Sequence, residues 1–280
     1  MTSAGPLAAA IQDARAGLSL YGWLVAAQVR SQLQYRASFA LQLLSQFLAS
    51  FVGFVALLLL FQRFDSLAGW SRAEVAFLYG LGGLAFGLSE VAAGSFASLS
   101  VAIQTGTFDR VLTRPVGTFV QVLASDVQLR RLGRAAQGAV ALGIAIGWLE
   151  IAWTAPKLLV LASAVVSGVL IFGAIWVIGA AVTFWTVQTS EVTNVFTYGG
   201  EELVSYPLPI YADGLRRFFT FVVPLAFVTY LPALYILDRP DPLGLPYALR
   251  FCSPLVAVLF LLVARGAWEF GVRHYQSTGS

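Results

Sequence analysis

Several residue types are almost missing from this chain of 280 residues. Cys252 is its one cysteine, so no intramolecular disulfide can form, and the apolar residues around it suit a buried, inert thiol. His274 is its one histidine, which excludes a multi-histidine metal site and leaves any serine-type triad a single candidate base close to the C-terminus. The HExxH and GxSxG motifs, Cys/His clusters and the GxxxxGK[ST] phosphate loop are absent. Charge is scarce as well: 11% of residues are Asp, Glu, Lys or Arg, against about 25% in soluble domains. The first 17 residues carry Asp13 and no basic stretch ahead of the apolar residues 7–11, so no cleavable signal peptide is expected. No soluble domain or low-complexity linker is recognisable. Catalysis by this chain is not expected.

What the chain has in abundance is apolar length. It is 58% hydrophobic with a mean hydropathy of +0.78. Several runs approach or exceed the roughly 20 residues a helix needs to cross a ~30 Å hydrocarbon layer. The runs are continuous and do not alternate, which selects helices over a β-barrel. Spans are expected at 37–61, 74–100, 135–153, 158–185, 218–237 and 247–268. The second is rich in glycine (Gly80, Gly82, Gly83, Gly87, Gly94), which lets helix backbones approach closely in lipid. Pro224 and Pro232 interrupt the fifth. Residues 18–36 are amphipathic, with Trp23, Leu24 and Ala27 on one face and Arg30, Gln34 and Arg36 supplying polarity. An interfacial helix is expected there, a short water-facing helix being the plainer alternative.

The net charge of +3 reads as topology and not as affinity for nucleic acid. With the N-terminus inside, the inner segments hold Arg15, Arg30, Arg36, Arg110, Arg114, Arg130, Arg131, Arg134, Arg216, Arg217, Arg265 and Arg273. The outer loops hold Arg63, Arg72, Lys157, Arg239 and Arg250. That bias puts both termini in the cytoplasm, and an even number of spans agrees.

Residues 106–134 are the longest basic interruption. Phe108, Val111 and Leu112 lie at i, i+3 and i+4, with Asp109, Arg110 and Arg114 on the other face. Pro115 disfavours helix at Arg114 and ends the turn. Phe119, Val120, Leu123 and Val127 then continue an apolar stripe. Such a helix, break and second helix could dock a soluble partner. By pattern alone, a loop lying on the lipid is the more ordinary reading.

The remaining acids mark further candidates. Glu90 falls within the second span, where a carboxylate either faces the bundle or reaches water at the inner interface. Glu150 is near an outer helix end and snorkels. Glu191, Glu201 and Glu202 follow the fourth span among many apolar residues, so a membrane-lying or protein-packed segment is expected. There the glutamates could cap a broken helix or meet Arg216 and Arg217.

The run GTFDRVLTRPVGTFVQVLAS resembles the G-x-(F/L)-D-x-x-L-x-R-P segment of ABC-2 type permeases, in the subgroup long described only as an uncharacterised permease domain. Residues 194–237, the DPLGL at 241–245 and the final YQSTGS resemble later signatures of that subgroup, so the resemblance spans nearly the whole chain. It implies an all-α membrane protein built as a single type II exporter domain over residues 1–280: an elbow helix at 18–36, then six transmembrane helices. It implies a coupling segment at about 106–123 (Phe108, Asp109, Arg110, Leu112, Arg114, Pro115) seated in a cytoplasmic ATPase dimer, which binds ATP and magnesium while this chain binds no cofactor. It also implies a second permease, a similar sister chain before a second copy, in a bacterial cytoplasmic membrane. Candidate translocation or gating residues are Gly83, Gly87, Glu90, Tyr198, Gly199, Gly200, Glu201, Glu202, Tyr206 and Pro207. The better-known members carry re-entrant helices between the last two spans. Residues 238–246 are too few for such a pair, which leaves Pro224 and Pro232 to form part of one. The expected function is export of a hydrophobic or amphipathic substrate, a drug-like cation or a lipid. A membrane scaffold or sensor, or an ion-coupled transporter, are the alternatives. No inverted repeat supports the last.

Overall fold

The computed structural model describes residues 21–186 and 190–275, with the side chain of Ser190 undescribed. Residues 18–20 of the expected elbow and the motif residues beyond Tyr275 lie outside this set. Apart from one isolated bridge between Leu67 and Trp70, the described residues form helices, turns and loops.

The first helix, α1, covers 21–34. Tyr35 breaks it at φ −104°, ψ 65°, and α2 (Arg36–Leu60) follows. α1 is more than an amphipathic helix resting on lipid. Gln28 and Gln32, one turn apart on the same face, clamp residues 124–129. The Gln28 side chain donates to the Ala124 carbonyl (2.6 Å) and accepts from the Val127 amide (2.7 Å). Gln32 does the same to the Val127 carbonyl (2.5 Å) and the Leu129 amide (2.9 Å). Trp23 stays 73% exposed.

α3 (Arg72–Ala93) begins with a capping box, in which Ser71 and Glu74 satisfy each other's amides. It runs on through a 3-10 turn (Gly94–Ser98) into α4 (Leu99–Gln104). The short helices α5 (Asp109–Leu112) and α6 (Thr118–Leu123) form the basic loop. α7 (Leu132–Trp148) returns antiparallel to α3. α8 (Ala155–Val182) has Pro156 in its first turn, where a missing amide is harmless and the fixed φ suits a helix start. α9 (Ser190–Val204), α10 (Asp213–Phe221), α11 (Tyr230–Ile236) and α12 (Ser253–Arg273) complete the bundle.

Among the described residues, four helices are long and apolar enough to cross a membrane: α2, α3 with α4, α8 and α12. α7, with 17 residues, is shorter than the expected 135–153 would make it, because it starts at Leu132 and stops at Trp148. The expected fifth span, 218–237, is not a straight helix. Pro224 divides it, and the two halves are bent by 72°. Its first residues belong to α10 and its last to α11.

The limb the sequence hid is α9. It runs antiparallel to α8, with Thr193 against Gly179 and Gly200 against Phe172. Its end reaches the middle of α3, where Val204 meets Gly82. α10 slants back beside it, bringing Phe218 to 6.2 Å from Phe196. α11 then rises again. Thr229 donates to the Val204 carbonyl (2.8 Å), and Asp238 just beyond the helix meets Lys157 at the start of α8 (2.5 Å). Residues 190–217 are therefore part of the bundle, not a loop at its surface.

Small residues set the α3–α7 crossing. Gly80 faces Leu142, Gly83 faces Gly138, and Gly87 faces Ala135. A Cβ on Gly87 would overlap the Ala135 backbone, and one on Gly138 would overlap Leu84. Gly83 and Gly87, expected as gating residues, are buried packing surface here. This crossing predicts opposite signs for two glycine changes in one helix. Gly138→Ala should destabilise by about 1–3 kcal/mol through overpacking. Gly143→Ala, where a Cβ meets nothing within 4 Å, should leave stability unchanged or raise it by about 0.4–1 kcal/mol. Thermal unfolding of the two variants in detergent compares them directly.

Candidate functional site

Two features meet at the end of the bundle that carries the basic loop. The first is the loop itself. Phe108 is fully buried, its ring 5.4 Å from Phe184 and 5.0 Å from Tyr275. Asp109 does not sit on an outer face, because its carboxylate accepts from the Tyr275 hydroxyl (2.8 Å). Gln121 donates to the carbonyls of Val111 (3.0 Å) and Val116 (2.7 Å), closing the loop on itself. Beneath it Trp268 meets Phe96 and Phe119 edge to face, and those two rings lie tilted against each other. The exposed tip is what remains: Arg110, Leu112, Thr113, Arg114 and Pro115. Leu112 departs from its expected place on the inner stripe. It is 42% exposed, since a helix of four residues turns only once and cannot bury both Phe108 and Leu112.

The second feature is a charged cluster joining α3, α7 and α9. Arg134, in the first turn of α7, donates to Glu201 Oε2 of α9 (2.8 Å) and lies 3.7 Å from Glu90 Oε2 of α3. Its guanidinium stands over the rings of Phe86 (5.2 Å) and Tyr198 (5.3 Å). Arg131 lies 3.8 Å from Glu90 Oε1 and donates to the Glu90 carbonyl (3.2 Å). Its other side reaches Asp126 at 3.8 Å, within the residues that α1 clamps. The Tyr198 hydroxyl donates to Glu90 Oε1 (3.3 Å). Gly94 leaves the space that the Arg131 guanidinium fills.

Glu90 is 7% exposed. Two glutamates and two arginines neutralise one another there, as charges withdrawn from water require. The cluster ties the linker at 124–131 to three bundle helices at once.

The structure brings together Glu90, Tyr198 and Glu201 of the expected translocation residues. Gly200 lies against Phe172 and Leu225 as packing. Glu202 points away from the cluster and is exposed, while Tyr206 and Pro207 form the turn after α9. Glu201 pairs with Arg134 and not with Arg216 or Arg217; Arg216 pairs with Asp213 of its own helix. Sequence reading treated Arg131 and Arg134 as topology anchors. The one hint to their role was that Arg134 adjoins a span whose antiparallel neighbour carries Glu90.

Arg134→Ala should destabilise by about 3 kcal/mol, because it leaves Glu201 buried without its partner, while Glu90 keeps Arg131 and Tyr198. A double-mutant cycle with Glu201→Gln, read by chemical denaturation, should return a coupling energy of about 0.5–3 kcal/mol. Additive changes would show that the pair is not coupled.

The family described as ABC-2 family transporter protein matches over residues 47–279. No curated protein and no solved structure matches significantly. The matched region takes in most of α2, every later helix, the basic loop and the whole charged cluster. With apolar helices of membrane-crossing length in the same region, this chain belongs to the ABC-2 transporter family, as a multi-pass membrane permease.

Proposed function

We propose that this permease forms part of the membrane path of an ATP-driven exporter whose ATPase is a separate cytoplasmic dimer. The basic loop lies on the cytoplasmic side, as does each terminus, and the membrane is a bacterial cytoplasmic membrane. ATP and magnesium bind to the ATPase. A second permease, a similar sister chain before a second copy, completes the path. The substrate is hydrophobic or amphipathic. Membership of the ABC-2 family supports an ATPase partner in general.

One observation carries the coupling role: the loop is anchored from within and exposed at its tip. Phe108 and Asp109 fix it to the bundle and Gln121 closes it on itself, leaving Arg110, Leu112, Arg114 and Pro115 exposed to contact a partner. A tip that packed on its own protein could not receive force, and a tip on a floppy loop could not transmit it. When the ATPase dimer closes, it pushes this tip. The push reaches residues 124–131, which α1 and Asp126–Arg131 hold, and passes through Arg131 and Arg134 to α3 and α9.

The chain expressed with its neighbouring genes should isolate with an ATPase, and isolation without one would overturn the proposal. Leu112→Ala with Arg114→Ala should weaken ATPase association about ten-fold or more, equivalent to about 1.4 kcal/mol, while leaving thermal stability unchanged. Phe108→Ala should do the reverse first, destabilising the permease by about 3–5 kcal/mol as a buried aromatic is removed. Pull-down of the ATPase and melting of the permease distinguish tip from anchor.

A further inference from the structure

From the start of α1 to the end of α2, residues 21–60 contain Arg30 and Arg36 and no acid. α2 is exposed along most of its length, and Leu44, Leu48, Val52 and Val55 form an apolar surface that suits lipid. Its first turns differ. Ser38, Gln42 and Ser45 are exposed on one face, at i, i+4 and i+7, where hydrocarbon would leave their polar atoms without partners. With Leu41, Gln46 and Arg130 they line a groove of about 270 Å³, where α2 passes the 3-10 turn Leu129–Arg131. Gly133 sets this crossing by letting the α2 backbone approach at Leu43 and Phe47.

The groove is rich in donors. Arg130 Nε donates to Gln128 Oε1 (2.8 Å), which orients the guanidinium and leaves its two terminal nitrogens without an acceptor among the described residues. Asp126, the acid nearest in sequence, is engaged by Gln128 (2.6 Å) and Arg131 (3.8 Å). Gln42 donates to the Ser38 hydroxyl (3.3 Å), so that hydroxyl keeps its own proton to give outward. No carboxylate lines the groove. A guanidinium beside hydroxyl and amide donors is what a phosphate takes, whereas the ammonium of a zwitterionic headgroup finds no anion here. Depth agrees. Trp23 and Tyr35 are 73% and 72% exposed just ahead of α2, as aromatic side chains at a membrane interface are. The groove lies within about 15 Å of the start of α2, and the apolar surface of Leu48 and Val52 continues from it.

We infer that this groove holds the phosphate of an anionic phospholipid, in the leaflet at the basic-loop end of the bundle. The phosphate meets Arg130, Ser38 and Gln42, and an acyl chain runs over Leu41 and Leu48 along α2. This is a resident lipid on the lipid-facing side of α2, apart from the cluster of Glu90, Arg134 and Glu201. The inference goes beyond the exporter reading and does not depend on what the permease transports.

The test uses the full chain purified in detergent, with phosphatidylglycerol and phosphatidylcholine of identical acyl chains as probes. Native mass spectrometry counts the bound lipid, and the shift in melting temperature reports affinity. Phosphatidylglycerol should bind about five-fold more tightly or better, the preference that one basic residue near a membrane surface confers. Arg130→Ala should remove that preference, whereas Arg63→Ala, at an exposed arginine beyond the far end of α2, should keep it. Gln42→Glu, which hands Arg130 an acid of its own, should remove it too, and covers the case of an Arg130 variant that does not fold. Three results would overturn the inference: equal affinity for the two lipids, an undiminished preference in either folded groove variant, or inorganic phosphate alone reproducing the full shift, which would mean a free-anion site and not a lipid site.

Discussion

Arg134 is the point on which the arrangement turns. It stands where α7 enters the bundle, and from there its guanidinium reaches one carboxylate on α3 and another on α9 while lying against two aromatic rings. A charge in this position cannot be left alone, because neither lipid nor a packed apolar core will solvate it. The helices that supply its partners must therefore stay within a few ångströms of it. That requirement fixes the depth of α9 relative to α3 and α7, and it is helped by the glycines that let α3 and α7 approach at Gly83–Gly138 and Gly87–Ala135.

The same cluster is continuous with the basic loop. Asp126, Arg131 and the amides of Val127 and Leu129 lie in one short linker, held on one side by Gln28 and Gln32 of α1 and on the other by Glu90. The loop is thus anchored at both ends while its tip, Arg110 and residues 112–115, stays exposed. The aromatic layer of Phe96, Phe108, Phe119, Phe184, Trp268 and Tyr275 seats the loop on the bundle. The opposite end of the bundle is braced differently, by loops pinned to helix starts. Arg239 meets Glu74 at 2.5 Å and stands over Trp70, and Lys157 meets Asp238.

How much of this was legible in the residues differs from element to element. α2, α8 and α12 were plain, since each is a continuous apolar run and run length is a local property. The basic loop was legible as helix, proline break and helix, and the resemblance to ABC-2 permeases rested on it. Phe108 could be seen to point inward. Leu112 could not be seen to point outward, because the helical stripe presumed a longer helix than the four residues that form. α9 was illegible as a bundle helix for the opposite reason: its glutamates lower its hydropathy, and those glutamates are tolerable only because Arg134 waits for one of them.

The sequence alone determined that this is a helical membrane protein, between which apolar runs its basic loop falls, and which short segment breaks the lipid-facing pattern. These follow from composition, run length and proline placement, all of which act within a few residues. The tertiary structure decided what the charges do. Arg134 and Glu201 are 67 positions apart, Gln28 and Val127 are 99 apart, and no local rule pairs them. Their pairing depends on where helices cross, and the crossings depend on glycines meeting across the bundle. The same crossings left Glu202 facing outward while its neighbour Glu201 turned in, because adjacent positions on a helix point about 100° apart.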